Sequence, residues 1–120
     1  MRARGFTLIE LMVVLLLLAL LASIVAPVAT KSVGRAKEST LKEDLFILRK
    51  GLDDYYSDHG KYPEELQTLV EEHYIRDVPK DPVTDDAGSW VLKRTDDNGI
   101  IDVHSGADGT ARDGTRYSDW

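Results

Sequence analysis

Met1-Arg2-Ala3-Arg4-Gly5-Phe6-Thr7-Leu8-Ile9-Glu10 runs directly into an apolar stretch, Leu11–Ala29, in which Ser23 is the only polar side chain. Those 19 residues span about 28 Å as a helix, close to the thickness of a bilayer's hydrocarbon core. Arg2 and Arg4 stand before the stretch, so the positive-inside rule holds the N-terminus in the cytoplasm and sends the rest outward. Glu10 is the unusual residue. An ionisable side chain at the mouth of a membrane span is costly and points to function by default.

Two plainer readings of this segment fit less well. A secretory signal peptide has a shorter apolar region, about 7–15 residues, followed by a small-residue cleavage site. Here Ala19-Leu20-Leu21-Ala22 is embedded among hydrophobics rather than following them. A plain membrane anchor has no use for Glu10. Gly5-Phe6-Thr7-Leu8-Ile9-Glu10 ahead of a Leu/Val-rich helix resembles the class III signal of type IV pilins and type II secretion pseudopilins. The resemblance implies that a prepilin peptidase cuts between Gly5 and Phe6 and methylates the new amine of Phe6. It gives Glu10 an assembly role, and Pro27 matches the proline of the family's stem.

A physical role for Glu10 follows. An unpaired carboxylate inside an apolar filament core costs several kcal/mol. In a staggered bundle of stems, Glu10 of one subunit meets the ammonium of Phe6 on its neighbour. Such a pair fixes register more than it adds net stability.

At 120 residues there is room for one small domain and an appendage. The formal charge is −6, and loss of Arg2 and Arg4 with the leader takes it to −8. An acidic chain without a basic stripe excludes nucleic acid as a partner. There is no cysteine, hence no disulfide and no thiol chemistry.

Pro27 interrupts the helical pattern and Gly34 weakens it again, so residues 26–34 are expected to be a kinked joint in one long helix. The alternative is a span ending near Ala29 and then a linker. Leu41, Leu45, Leu48, Leu52 and Tyr55 recur at spacings of four and three, with Phe46 and Tyr56 widening the stripe. That predicts an amphipathic helix over about 36–59, stopped by Gly60. Pro63-Glu64-Glu65 suits the first turn of a short second helix, 63–72. Gly60-Lys61-Tyr62-Pro63 and Val78-Pro79-Lys80-Asp81-Pro82 resemble the pseudopilin pattern, the second as the loop leading to the sheet. Ser89–Lys93 and Ile100–Val103 flank Asn98-Gly99, a strong hairpin signal, giving a small antiparallel sheet over 89–103. The loop 104–120 is expected to be ordered, with Trp120 as an aromatic anchor.

No catalytic set is visible. His59, His73 and His104 are scattered, and no phosphate loop or zinc-protease motif is present. The major pseudopilins carry a C-terminal calcium loop, and His104-Ser105-Gly106-Ala107-Asp108-Gly109 resembles its first part. Where that family has two adjacent aspartates, this chain has Thr115-Arg116. Calcium held by Asp108 and Asp113 is one expectation, since oxygen-rich loops suit it and a small head without disulfides gains from a staple. The other is that Asp108-Gly109 and Asp113-Gly114 are turns, with Arg112 or Arg116 pairing with an aspartate.

The expected architecture is α+β: a leader, 1–5; a transmembrane and assembly helix, 6–29; and a head, 30–120, in which the amphipathic half of the helix packs on the sheet. The resemblance implies a pilin-like lollipop and a structural, non-enzymatic role. It implies the major pseudopilin of a type II secretion pseudopilus, a homopolymer working with prepilin peptidase, an inner-membrane platform, an assembly ATPase and minor pseudopilins. The subunit would sit in the inner membrane with its head in the periplasm, then in a periplasmic filament. The alternatives are a major or minor type IV pilin of a surface pilus and a membrane-tethered periplasmic binding domain.

Overall fold

The computed structural model describes residues 3–120; Met1 and Arg2, the start of the expected leader, lie outside them. The helix α1 runs without a break over Leu8–His59, with Pro27 inside it. The helix therefore does not give way to a linker after Ala29. Two compact parts divide the chain, Met1–Gly34 and Arg35–Trp120.

In the first part α1 is apolar on all sides. It is long and apolar enough to cross a membrane, and none of its side chains over 8–33 is covered by protein. A helix hydrophobic all round needs lipid or other helices to cover it. Thr7 caps its start, accepting the Glu10 N–H on its hydroxyl oxygen at 3.3 Å. Pro27 deprives the Ser23 carbonyl of its usual donor. The Ser23 hydroxyl donates to the Leu20 carbonyl at 2.7 Å, and Thr30 donates to the carbonyls of Ala26 and Pro27 at 3.2 and 3.0 Å.

In the second part the expected stripe is the core. Leu41, Leu45, Leu48, Leu52 and Tyr55 are buried together with Leu69, Ile75, Trp90, Ile100 and Val103. Phe46 and Tyr56 do not join it; they are 66% and 46% exposed. Each follows a stripe residue by one position, about 100° around the helix, which turns it away from the seam. The stripe widens instead at Gly51, where an added Cβ would stand 2.9 Å from Ile75 Cγ2. Gly60 ends α1 in the left-handed conformation (φ 70°), its N–H bonded to the Tyr56 carbonyl at 2.8 Å.

The second helix, α2, is Leu66–Glu71, shorter than the expected 63–72. Pro63 does not begin it, because the carbonyls of Pro63 and Glu64 are already committed. Pro63 accepts the Ile100 N–H at 2.7 Å, and Glu64 accepts from Arg94 Nη1 at 2.7 Å. Both bonds tie the segment ahead of α2 to the hairpin. At its other end α2 closes with His73 left-handed (φ 65°), the Tyr74 N–H reaching back to the Leu69 carbonyl at 2.8 Å.

The sheet has two antiparallel strands, β1 at Val91–Arg94 and β2 at Ile100–His104. Val91 pairs with His104, Leu92 with Val103, Lys93 with Asp102 and Arg94 with Ile100. The skipped residue, Ile101, is a bulge. Ile100 and Val103 lie three apart and would face opposite sides of a regular strand, yet the bulge lets both enter the core. Asn98 is left-handed (φ 66°) in the connecting turn, as its Asn-Gly position predicts. His104 belongs to β2, so the long loop starts after it. That loop is ordered, with a bridge between Thr110 and Arg116 and a 3-10 turn at Tyr117–Asp119.

Candidate functional site

The N-terminal motif is fully presented. Gly5 and Phe6 precede α1 and are exposed, with Phe6 83% accessible. Glu10 stands in the first turn of the helix, where a carboxylate complements the positive end of the dipole. Ile9, Leu11, Val13 and Val14 surround it with exposed apolar surface. Among the described residues Glu10 makes no ion pair. The sequence carries a signal for this cap, since Thr7-Leu8-Ile9-Glu10 has the Ser/Thr-x-x-Glu signature of a helix start. Because Thr7 receives the backbone N–H of Glu10, the carboxylate itself is left over for another partner.

In the C-terminal loop Asp113-Gly114 is a turn, as the second expectation has it, with the Gly114 N–H bonded to the Ala111 carbonyl at 3.0 Å and both Gly109 and Gly114 at positive φ. Asp113 accepts both the N–H and the hydroxyl of Thr115 on one oxygen, at 3.0 and 2.6 Å. Those bonds hold its carboxyl below the usual carboxylate range. Asp108 shares a shallow pocket with Gly109, Thr110, Arg116 and Ser118. Among the described residues no group of three or more His, Cys, Asp or Glu gathers as metal ligands. Neither Arg112 nor Arg116 forms an ion pair with Asp108 or Asp113. Arg116 brings a positive charge to the pocket that Asp108 lines.

The charges that matter in the head lie elsewhere. Arg49 donates from Nε to Asp102 at 2.9 Å, and from Nη2 to the Val103 carbonyl and the main-chain oxygen of Trp120 at 2.9 and 2.8 Å. Burial pushes the Asp102 carboxyl up, but the Val103 N–H, the Arg49 guanidinium and His104 outweigh it and hold the group below its ordinary value. Asp81 is fully buried, accepting the Ser105 hydroxyl on one oxygen and the Val83 N–H at 2.8 Å on the other. It fixes the loop before β1 to the residue after β2. At the far end of α1, Tyr74 donates to Asp58 at 2.6 Å, and that bond, aided by burial, pushes the phenol up to about 12. None of these groups forms a nucleophile–base pair facing a cleft.

Residues 1–26 match the family described as the prokaryotic N-terminal methylation motif. Over 99% of its length the chain is 35% identical to type II secretion system core protein G of Klebsiella pneumoniae, matching 95% of that protein. This chain belongs to the type II secretion system core protein G family. The protein of that name from Vibrio cholerae is 36% identical over 88% of this chain and 81% of its own length. The type IV major pilin PilE1 of Neisseria gonorrhoeae is 28% identical, with 98% of this chain matching 62% of it. No solved structure gives a significant match. These relatives are named as core proteins of a type II secretion system.

Proposed function

We propose that this chain is the major pseudopilin of a type II secretion pseudopilus, a structural subunit that polymerises through its N-terminal helix to drive protein export. The observation that carries the reading is Glu10, a carboxylate without an ion-pair partner among the described residues, on a helix whose apolar surface is bare on every side over 8–33. Cleavage between Gly5 and Phe6 by prepilin peptidase removes the basic leader and creates an ammonium one turn from Glu10. Within one chain that ammonium competes with water. Between staggered neighbours it meets Glu10 in apolar surroundings, where an unpaired charge is expensive, so only the correct register satisfies both.

The processed subunit waits in the inner membrane with its head in the periplasm. An inner-membrane platform and an assembly ATPase add it to the filament, and minor pseudopilins share the structure. Pro27 supplies a point where the packed stem can yield. A surface type IV pilin is the second reading, favoured by the PilE1 likeness. Its lower identity and partial coverage place it behind core protein G.

Intact mass of the processed chain tests the pathway. The expected product begins at N-methylated Phe6. A product that keeps Met1–Gly5, or is cut beyond Ala29, would remove the amine on which the pairing depends.

A further inference from the structure

Glu38, Lys42 and Arg49 lie along one line of α1, spaced by four and seven, and all three reach the loop after β2. Arg49 ties the main-chain oxygen of Trp120 to Asp102 and Val103 of β2. His104 adds a second bond to that Trp120 oxygen through Nδ1, at 2.8 Å. Glu38 accepts the Arg112 N–H at 2.9 Å and the Tyr117 hydroxyl at 3.2 Å on one oxygen. The ammonium of Lys42 stands 4.7 Å over the Trp120 ring, which packs edge-on to Tyr117 at 5.3 Å. Within the loop, Trp120 Nε1 donates to the Thr115 hydroxyl oxygen at 2.7 Å, and Thr115 donates on to Asp113.

We infer that this clasp makes the C-terminal loop metal-independent: Glu38 and Arg49 fasten it to the helix directly, doing the work a calcium ion would otherwise do. Calcium needs about six to eight oxygen ligands and favours carboxylates free to turn towards it. Asp113 has one oxygen committed to Thr115, Asp102 has one committed to Arg49, and Arg116 brings a positive charge to the pocket of Asp108. The bonds of Glu38 and Arg49 join positions 53 to 79 apart in sequence, so they close long loops against α1. The clasp belongs to residues 35–120 and does not depend on filament assembly.

The test is thermal unfolding of the detergent-solubilised full chain in excess EGTA and in 1 mM calcium chloride, with tryptic cleavage after Arg112 and Arg116 as a second readout. The expected melting temperatures agree within about 1 °C, and cleavage is equally slow in both. A calcium-dependent rise that saturates, of about 5 °C or more, overturns the inference. Arg49→Lys keeps the charge but loses the three-way fork, and should melt lower with faster cleavage under both conditions. If that variant does not fold, Glu38→Ala serves in its place. Glu38→Gln keeps an acceptor oxygen and should stay close to the parent. Unchanged melting and cleavage in both Arg49→Lys and Glu38→Ala would equally overturn it.

Discussion

Over residues 8–33 every side chain of α1 is exposed, while within 35–120 ten apolar residues make a core in which none exceeds 7% exposure. The same helix thus serves two regimes. Its first half is exposed and written in Leu, Val and Ala. Its second half shows one seam of leucines to the head and charges elsewhere. Polar groups follow the division. The buried carboxylate of the head, Asp81, is answered by Ser105 and Val83, whereas Glu10 finds no counter-charge among the described residues. A domain that satisfies itself folds alone, and a segment that does not must be completed by lipid or by other subunits.

Glycine substitutions break the comparison most sharply. A Cβ at Gly106 would lie 1.9 Å from the Ser89 carbonyl oxygen, so Gly106→Ala should destabilise the head by about 3 kcal/mol or more, read by thermal melting. At Gly34 nothing lies within 4 Å of an added Cβ, and Gly34→Ala should leave the head unchanged and favour the helix by up to about 1 kcal/mol. Equal losses at both positions would contradict the division.

Acid titration sharpens it next. The Asp102 carboxyl is depressed in the folded head, so its contribution to stability is fully present above its unfolded value, near pH 4, and is lost as pH falls through the lower folded value. The melting temperature should drop below about pH 4, and less steeply in Arg49→Met, which lacks one cause of the depression. Parallel pH profiles would show that Arg49 does not hold Asp102. The smallest effect is at His73, which closes α2 in a left-handed conformation that glycine adopts without strain. His73→Gly should raise stability by about 0.5 kcal/mol.

Periodicity made the seam Leu41–Tyr55 legible, and glycine marked the stop at Gly60 and, with Asn98, the hairpin. These signals act over a few residues. Phe46 and Tyr56 were read into the core because composition does not say which side of a half-turn is covered. Pro63 was placed in a helix because its carbonyl's commitment to Ile100, 37 positions on, leaves no local trace. The clasp was invisible for the same reason. Arg49 and Glu38 look like ordinary surface charges, and their partners lie 53 to 79 residues away. Glu10 was readable for the opposite reason: its meaning comes from being out of place in an apolar run.

Filament formation by Glu10→Leu tests the central claim most directly. The substitution removes only the carboxylate, since Thr7 caps the helix through the backbone N–H of residue 10. The variant should insert, be processed to Phe6 and keep the head's melting temperature, yet yield no filaments by electron microscopy when produced with an export apparatus that assembles the parent. Filaments as abundant and regular as the parent's would contradict the account.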